Sequence, residues 1–168
     1  MSFHRRCLRG DSDTNPRTKM STAHGFSISV KTKINYQETI EYLREALTRF
    51  GFEGLHELPL DRELERKAGL RWPQLGLSWR HYTVLLVWSP LDACPALLSD
   101  RDGGLLVPFN LCVAEGDNVT FIAAANHFNL LRPGNASIGT QTLLRDLSHR
   151  IRGVLSELET QQDGARVI

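Results

Sequence analysis

The chain has 168 residues, of which 41% are hydrophobic and 23% charged, values that are typical of one soluble globular domain. Its formal net charge of +1 provides no overall field that would favour nucleic acid or an anionic membrane as a partner. The three cysteines form no CxxC pair, which argues against a disulfide scaffold and favours a reducing compartment. No apolar run approaches the ~18 residues of a membrane-spanning helix, and the N-terminus lacks the apolar stretch of a secretory signal. We therefore expect a cytoplasmic protein.

The composition also divides the chain. Residues 1–24 are dominated by Arg, Ser, Asp, Asn and Pro, so we expect a disordered or loosely attached tail, with Met20 as an alternative translation start. Residues 25–160 carry the periodic apolar patterns of a single domain. Residues 161–168 are predicted to be a frayed C-terminus.

The first part of the domain is predicted to be strand, helix, strand. Gly25–Thr32 alternates apolar and polar residues, the pattern of a sheet with one wet face. A helix is predicted to begin at Asn35, because Glu38 lies at the spacing of a capping box. Gly51 ends that helix, since it adopts the left-handed cap conformation at little cost. Phe52–Leu58 is predicted to be the second strand.

The middle of the chain is predicted to hold two short helices around a strand. Leu60–Ala68 is charged and predicted to be helical, with Asp61 as a possible cap, and Trp72–Ser78 is predicted to be a loop. Trp79–Trp88 is a strand that is apolar on both sides in its second half, which favours a central position in the sheet. Leu91–Leu98 is predicted to be a short helix.

The most apolar stretch, Asp102–Ala125, is predicted to be a hairpin with its turn at Glu115–Asn118. Pro108 has no N–H, so the first strand lies at an edge, is bulged there, or only begins there. A loop at Arg132–Asn135 leads to a long helix over about Thr140–Glu159. Its apolar stripe consists of Leu143, Leu144, Leu147, Ile151, Val154, Leu155 and Leu158.

These elements predict the fold class. Each antiparallel strand has one face to bury, and two longer helices are available to cover it. We therefore predict a two-layer α+β domain with a sheet of about five strands, in the order β-α-β4-α. The N-terminal and C-terminal helices are expected to pack on one face of that sheet.

Several motifs resemble the domain of unknown function 302 family over about residues 25–158. They are Gly51-Phe52, Pro90-x-x-Ala93, Leu97-Leu98 and the strand Leu106–Leu111, which is similar to a Leu-Pro-Cys-Asn-Val signature. The resemblance implies a TBP-like fold with a curved antiparallel sheet, usually as a homodimer, and it implies no established activity. This chain has Phe109 where relatives often carry Cys, which favours a packing role for this strand over a chemical one.

The hairpin contains the first candidate site residues. Alternation places Val107, Phe109, Leu111 and Val113 on one face of the first strand, which should face the helices. Asn110 then lies on the more polar face. It binds a ligand or a partner subunit, or it forms a hydrogen bond within its own loop.

Cys94-Pro95 is a second candidate, because a Cys-Pro pair resembles the short haem-regulatory motif in which a thiolate ligates iron. The possible second ligands are His81 and His127. Alternatively, Pro95 lies in the first turn of the short helix, where its missing N–H costs nothing, and the two histidines are ordinary strand-end or loop residues.

A third candidate is the aromatic and basic cluster of Trp72, Trp79, Arg80, His81 and Tyr82. It lines a mouth between sheet and loop, or it is a partly exposed edge. Arg80 would suit a carboxylate or a phosphate, although unpaired surface arginines are common.

The sequence contains no metal-binding spacing, phosphate-binding loop or nucleophile motif, and no catalytic set is visible, so whether it is an enzyme stays open. Three hypotheses remain. The first is a non-enzymatic homodimer that binds a small molecule between the sheet and the final helix, in a pocket lined by Leu85, Phe109, Phe121 and Leu147. The second is a haem or redox protein that uses Cys94 with His81 or His127. The third is a structural or interaction module.

Overall fold

The structure is a computed structural model that describes residues 27–130 and 137–164. The predicted polar tail and the predicted loop at Arg132–Asn135 lie outside the described residues. Within those two ranges, no helix has both the length and the apolar composition needed to cross a membrane.

The described residues form five strands and five α-helices. They are β1 (Ser27–Thr32), α1 (Tyr36–Arg49), β2 (Glu53–Pro59), α2 (Leu60–Ala68), β3 (His81–Trp88), α3 (Pro90–Ser99), β4 (Phe109–Glu115), β5 (Thr120–Ala125), α4 (His127–Leu130) and α5 (Ile138–Gly164). Short 3₁₀ helices lie at Trp72–Leu75 and Gly103–Leu106. The predicted α+β class is confirmed.

The strands form one antiparallel sheet in the order β1-β5-β4-β3-β2. The apolar hairpin β4–β5 therefore lies in the middle of the sheet, and β3 lies inside it, between β4 and the edge strand β2. Pro108 immediately precedes β4, so of the three alternatives for this proline the strand begins there, and the missing N–H removes no bond from the ladder.

One face of the sheet carries the core. Phe109, Leu111 and Val113 are almost completely buried, as the alternation predicted. The helices α1 and α5 cover them, and the predicted stripe of α5 is buried except for Leu143, which is half-buried. The helix continues to Gly164, past its predicted end at Glu159.

Helix α1 begins where its sequence signal places it. The Asn35 side chain accepts a hydrogen bond of 2.9 Å from the Glu38 backbone N–H, which is one half of the predicted capping box. Gly51 follows the last turn with a φ of 77°, a conformation that glycine adopts cheaply. The cap fixes the N-terminal turn of α1, and with it Tyr36, above the end of the sheet where β3 starts.

Two local predictions are wrong. Asp61 does not cap α2: the cap residue is Pro59, which makes no side-chain hydrogen bond, and Asp61 lies inside the first turn. Pro95 lies inside α3 rather than in its first turn. The Trp72–Ser78 segment, predicted as a loop, contains one 3₁₀ helix that buries Trp72.

Candidate functional site

A cavity of about 170 Å³ opens at the end of the sheet where β3 begins. We call it the polar cavity. It lies between the N-terminal turns of α1 and α2 and the end of β2. Its lining residues are Tyr36, Gln37, Ile40, Arg44, Glu57, Pro59, Asp61, Arg62, His81 and Thr83.

A carboxylate–imidazole pair forms one wall of the polar cavity. Asp61 Oδ2 lies 3.0 Å from His81 Nδ1, and the exposed fractions of the two side chains are 9% for Asp61 and 47% for His81. On the other side of the ring, His81 Nε2 lies 3.8 Å from Glu115 Oε2. A buried carboxylate therefore holds one ring nitrogen of a half-exposed imidazole, and a second carboxylate lies near the other nitrogen.

Tyr36 lies beside His81 in the lining of the polar cavity. Its ring centroid lies 5.5 Å from that of His81, and its hydroxyl donates a 2.6 Å hydrogen bond to Thr83 Oγ1. Burial raises the pKa of the Tyr36 hydroxyl above its ordinary value, and the bond to Thr83 opposes that shift. Tyr36 is therefore a neutral, oriented phenol at physiological pH.

Two arginines line the polar cavity and differ in their ion pairing. Arg44 forms an ion pair of 2.6 Å with Glu57, in which both side chains are about half exposed. Arg62 lines the cavity and forms no ion pair with any residue of 27–130 or 137–164. Arg62 is thus the cation that an anionic group of a ligand would meet.

A second and larger space of about 460 Å³ adjoins the polar cavity and shares Arg44 and Glu57 with it. We call it the apolar groove, because five of its ten lining residues, from α1, β2 and β3, are aliphatic. It follows an irregularity in β2, where the pairing with β3 shifts between Gly54 and His56. Its lining residues are Arg44, Leu47, Thr48, Gly54, Leu55, His56, Glu57, Leu85, Leu86 and Val87.

The structure separates most of the residues predicted to bind a ligand. His81 lines the polar cavity. Arg80, the neighbouring residue, instead forms a 2.8 Å ion pair with Asp117 in the β4–β5 turn. Asn110 is exposed on the sheet face opposite α1 and α5, and Phe109 is buried beneath those helices.

The predicted pocket beneath the final helix does not form from its four residues. Leu85, Phe109 and Leu147 pack together in the core. Phe121 pairs with Ala114 on the opposite face of the sheet and stacks on Trp79 at 5.7 Å. Since the strand alternates, these four side chains cannot line one space. Of them, Leu85 lines the apolar groove.

The structure places the predicted haem ligands Cys94 and His81 at opposite ends of β3. His81 starts the eight-residue strand β3, which is roughly 23 Å long at the usual rise of a strand, whereas Cys94 lies on α3 beyond its other end. His127 lies at that other end, with its ring 6.0 Å from that of Phe109, and burial lowers its pKa. Cys94 itself is exposed. No group of three potential metal ligands occurs in the described part of the chain.

Sequence reasoning found His81 but missed Tyr36, Asp61 and Arg62. Asp61 and His81 are 20 positions apart, so no motif spacing connects them. The pair forms because β2 and β3 are antiparallel neighbours and α2 connects them. A charged helix with an acidic residue near its start has the same sequence pattern whether that residue caps the helix or contacts a histidine.

Comparisons with known proteins agree with the predicted resemblance. The profile of a family described as "Domain of unknown function DUF302" matches residues 28–158. The chain is similar to the crystal structure of an uncharacterised conserved DUF302 protein from Bacillus stearothermophilus, with 24% identity and a TM-score of 0.67 over 79% of this chain and 98% of that chain. That likeness concerns the fold. No curated protein matches the chain.

Proposed function

The chain belongs to the family of domains of unknown function DUF302, and we propose that it is a homodimeric domain that binds a small molecule in the apolar groove and the polar cavity beside it. The single observation that carries this proposal is the adjacency of the two spaces. Together they place apolar lining residues beside a cluster of polar groups, and small-molecule sites combine these two features.

The two spaces favour an elongated ligand with an apolar body and a polar head. The body would contact the aliphatic lining of the apolar groove, and the head would reach His81 and Arg62. The two spaces share the Arg44–Glu57 ion pair in their linings. Exposed ion pairs contribute about 0–1 kcal/mol, so a ligand can displace this one at little cost.

The homodimer is supported by the face of the sheet opposite α1 and α5, which we call the open face. Antiparallel sheets often carry polar residues on such a face. Here several half-buried apolar residues lie on it, among them Val84, Leu86, Cys112, Phe121 and Ala123. Contiguous apolar surface of this kind marks interaction sites. Size-exclusion chromatography with light scattering tests the proposal: we expect a dimer that Val84→Glu dissociates, and a strict monomer would contradict it.

Ligand binding is tested by a thermal-shift screen of aliphatic and aromatic alcohols, phenols and carboxylic acids, with hits checked by native mass spectrometry. A ligand at 100 times its dissociation constant adds about 2.7 kcal/mol to the free energy of unfolding. We expect compounds with both an apolar body and a polar head to raise the melting temperature. A screen with no hits in either measurement would contradict the proposal.

Gly54 offers a way to block the apolar groove. A Cβ atom placed there meets nothing within 4 Å, and Gly54 pairs with Val87, whose side chain faces α1. Gly54→Phe should therefore fill the groove without disturbing the core, and abolish the thermal shift. The matched control is His149→Phe, which adds the same ring to an exposed position of α5.

A further inference from the structure

We propose that the polar cavity accepts a weakly acidic hydroxyl group, such as that of a phenol or an enol, and that His81 takes up its proton. This inference rests on the proposed function, because the body of the same ligand would occupy the apolar groove. It names the chemical class of the ligand's polar head and assigns a proton-transfer role to one residue.

Asp61 determines which ring nitrogen of His81 can accept a proton. An ionised carboxylate only accepts hydrogen bonds, so the 3.0 Å contact between Asp61 Oδ2 and Nδ1 places the ring hydrogen on Nδ1. The lone pair of a neutral imidazole is then on Nε2. His81 lines the polar cavity with a side chain that is 47% exposed, and the proposal requires Nε2 to face that cavity.

Carboxylates lie on both sides of the His81 ring. Asp61 lies against Nδ1, and Glu115 Oε2 lies 3.8 Å from Nε2, so one carboxylate is close to each ring nitrogen. A base oriented by a buried carboxylate is the arrangement that general-base catalysis requires.

Arg62 would stabilise the oxygen anion left on the ligand. The other pocket cation, Arg44, is already paired with Glu57 at 2.6 Å. The hydroxyl hydrogen of Tyr36 is engaged by Thr83, so the phenol oxygen of Tyr36 can accept from a ligand but has no free hydrogen to donate. The cavity thus combines a proton acceptor, a cation and an aromatic wall, which together suit a hydroxyl on a planar ring or an enol.

The step is balanced and involves no oxidant or cofactor. The ligand's O–H bond breaks, its electron pair stays on oxygen, and the proton forms a new N–H bond at His81 Nε2. The product is an imidazolium–oxyanion pair flanked by Asp61 and Arg62. Reversal of the step returns the proton to the ligand.

The test uses 4-nitrophenol, which absorbs visible light only as its anion. We would measure its binding by titration calorimetry and its ionisation by visible absorbance, across a pH series with the full chain. We expect the pKa of bound 4-nitrophenol to fall by about one unit or more below that of the free phenol, a shift typical of a nearby opposite charge. Binding without any such shift would overturn the inference.

Three variants locate the effect. His81→Gln keeps a polar side chain of similar size and should remove the ionisation shift, while 4-nitrophenol still binds. Asp61→Asn should reduce the shift, because an amide can donate to Nδ1 and so favour the other tautomer. The matched control is His149→Gln, which changes an exposed imidazole on α5 that lines neither space and should leave the shift intact. Loss of the shift in the His149 variant alone would overturn the role of His81.

The outcomes separate this inference from the proposed function. Gly54→Phe should abolish binding of 4-nitrophenol, whereas His81→Gln should abolish only its ionisation. If 4-nitrophenol does not bind the wild type while other compounds from the screen do, the hydroxyl class is wrong and the small-molecule site stands. If variants at His81 unfold, long-range ¹H–¹⁵N NMR spectra of the wild type can test the inference by showing which tautomer His81 adopts. A ring hydrogen on Nε2 would overturn the inference.

Discussion

The two ends of the sheet carry similar charged pairs in different surroundings. At one end, Asp61 holds His81 beside an open cavity. At the other end, Asp92 of α3 holds Arg150 of α5, and the guanidinium carbon lies 4.7 Å from the centroid of the Phe52 ring. A charged pair therefore lies at each end of the sheet, and the packing around each pair determines whether a ligand can reach it.

The end of the sheet where Asp92 pairs with Arg150, which we call the Arg150 end, is tightly packed. Arg150 also lies within 3.4 Å of the Phe50 carbonyl and 3.5 Å of Ser89 Oγ, so its donors are shared among three residues. Gly153 lies close to the same corner, since a Cβ atom there would come within 2.4 Å of the Phe50 ring. The contrast suggests that the Arg150 pair fixes the fold, whereas the His81 pair is free to act on a ligand.

The largest effect should come from the core at the Arg150 end. Phe109 is 1% exposed and packs edge-on against Phe52 at 5.3 Å. We expect Phe109→Ala to lower the free energy of unfolding by about 4 kcal/mol, through lost apolar burial and the cavity left behind. Phe121→Ala, on the open face, should cost clearly less. Chemical denaturation checks both, and equal losses would contradict the assignment of the two faces.

The two charged pairs should differ in the same measurement. Asp92→Ala leaves Arg150 charged and largely buried, and it should cost about 2 kcal/mol, less than a fully buried pair because both side chains retain some exposure. Asp61→Ala should cost about 1 kcal/mol, since His81 can stay neutral and is half exposed. A larger loss for Asp61 than for Asp92 would reverse the contrast between the two ends.

The Arg150 end should also contribute a pH-dependent change in stability. Burial lowers the pKa of His127 below its ordinary value of 6.5, so the unfolded chain binds a proton there more readily than the folded one. The free energy of unfolding should therefore fall as the pH drops below about 6.5, until the lower folded pKa is passed. His127→Gln should flatten this part of the profile. An unchanged profile would show that other groups cause it.

The smallest effect on stability is expected at His81. This side chain is 47% exposed, and substitution of an exposed polar residue usually changes the free energy of unfolding by no more than about 0.5 kcal/mol. His81→Gln should therefore unfold at nearly the wild-type denaturant concentration. A loss comparable to that of Asp92→Ala would mean that His81 has a structural role.

The sequence predicted the fold well because its signals are local. The alternation around Phe109 and the stripe containing Leu147 each repeat with a period that only one secondary structure satisfies, and both were confirmed by burial. Pro108 was more ambiguous. Its missing N–H is compatible with three positions in a strand, and pairing with two neighbouring strands decided among them.

The site could not be predicted in the same way, because it depends on contacts between distant parts of the chain. His81 and Cys94 are close in sequence, but β3 runs between them and carries them to opposite ends of the sheet. His81 and Asp61 are farther apart in sequence, and the turn back through α2 brings them into contact. The length of β3 separates His81 from Cys94, and the orientation of α2 brings Asp61 to His81. Composition encodes neither of these features.

The most direct test of the small-molecule site is a ¹H–¹⁵N correlation spectrum of the protein titrated with 2-naphthol, which has an apolar body and a hydroxyl head. We predict saturable shifts at backbone amides around the two spaces, including those of Arg44, Leu55 and His81. Gly54→Phe should remove them. Shifts confined to the open face of the sheet or to the Arg150 end, or no saturable shifts with any compound of the screen, would contradict the proposed site.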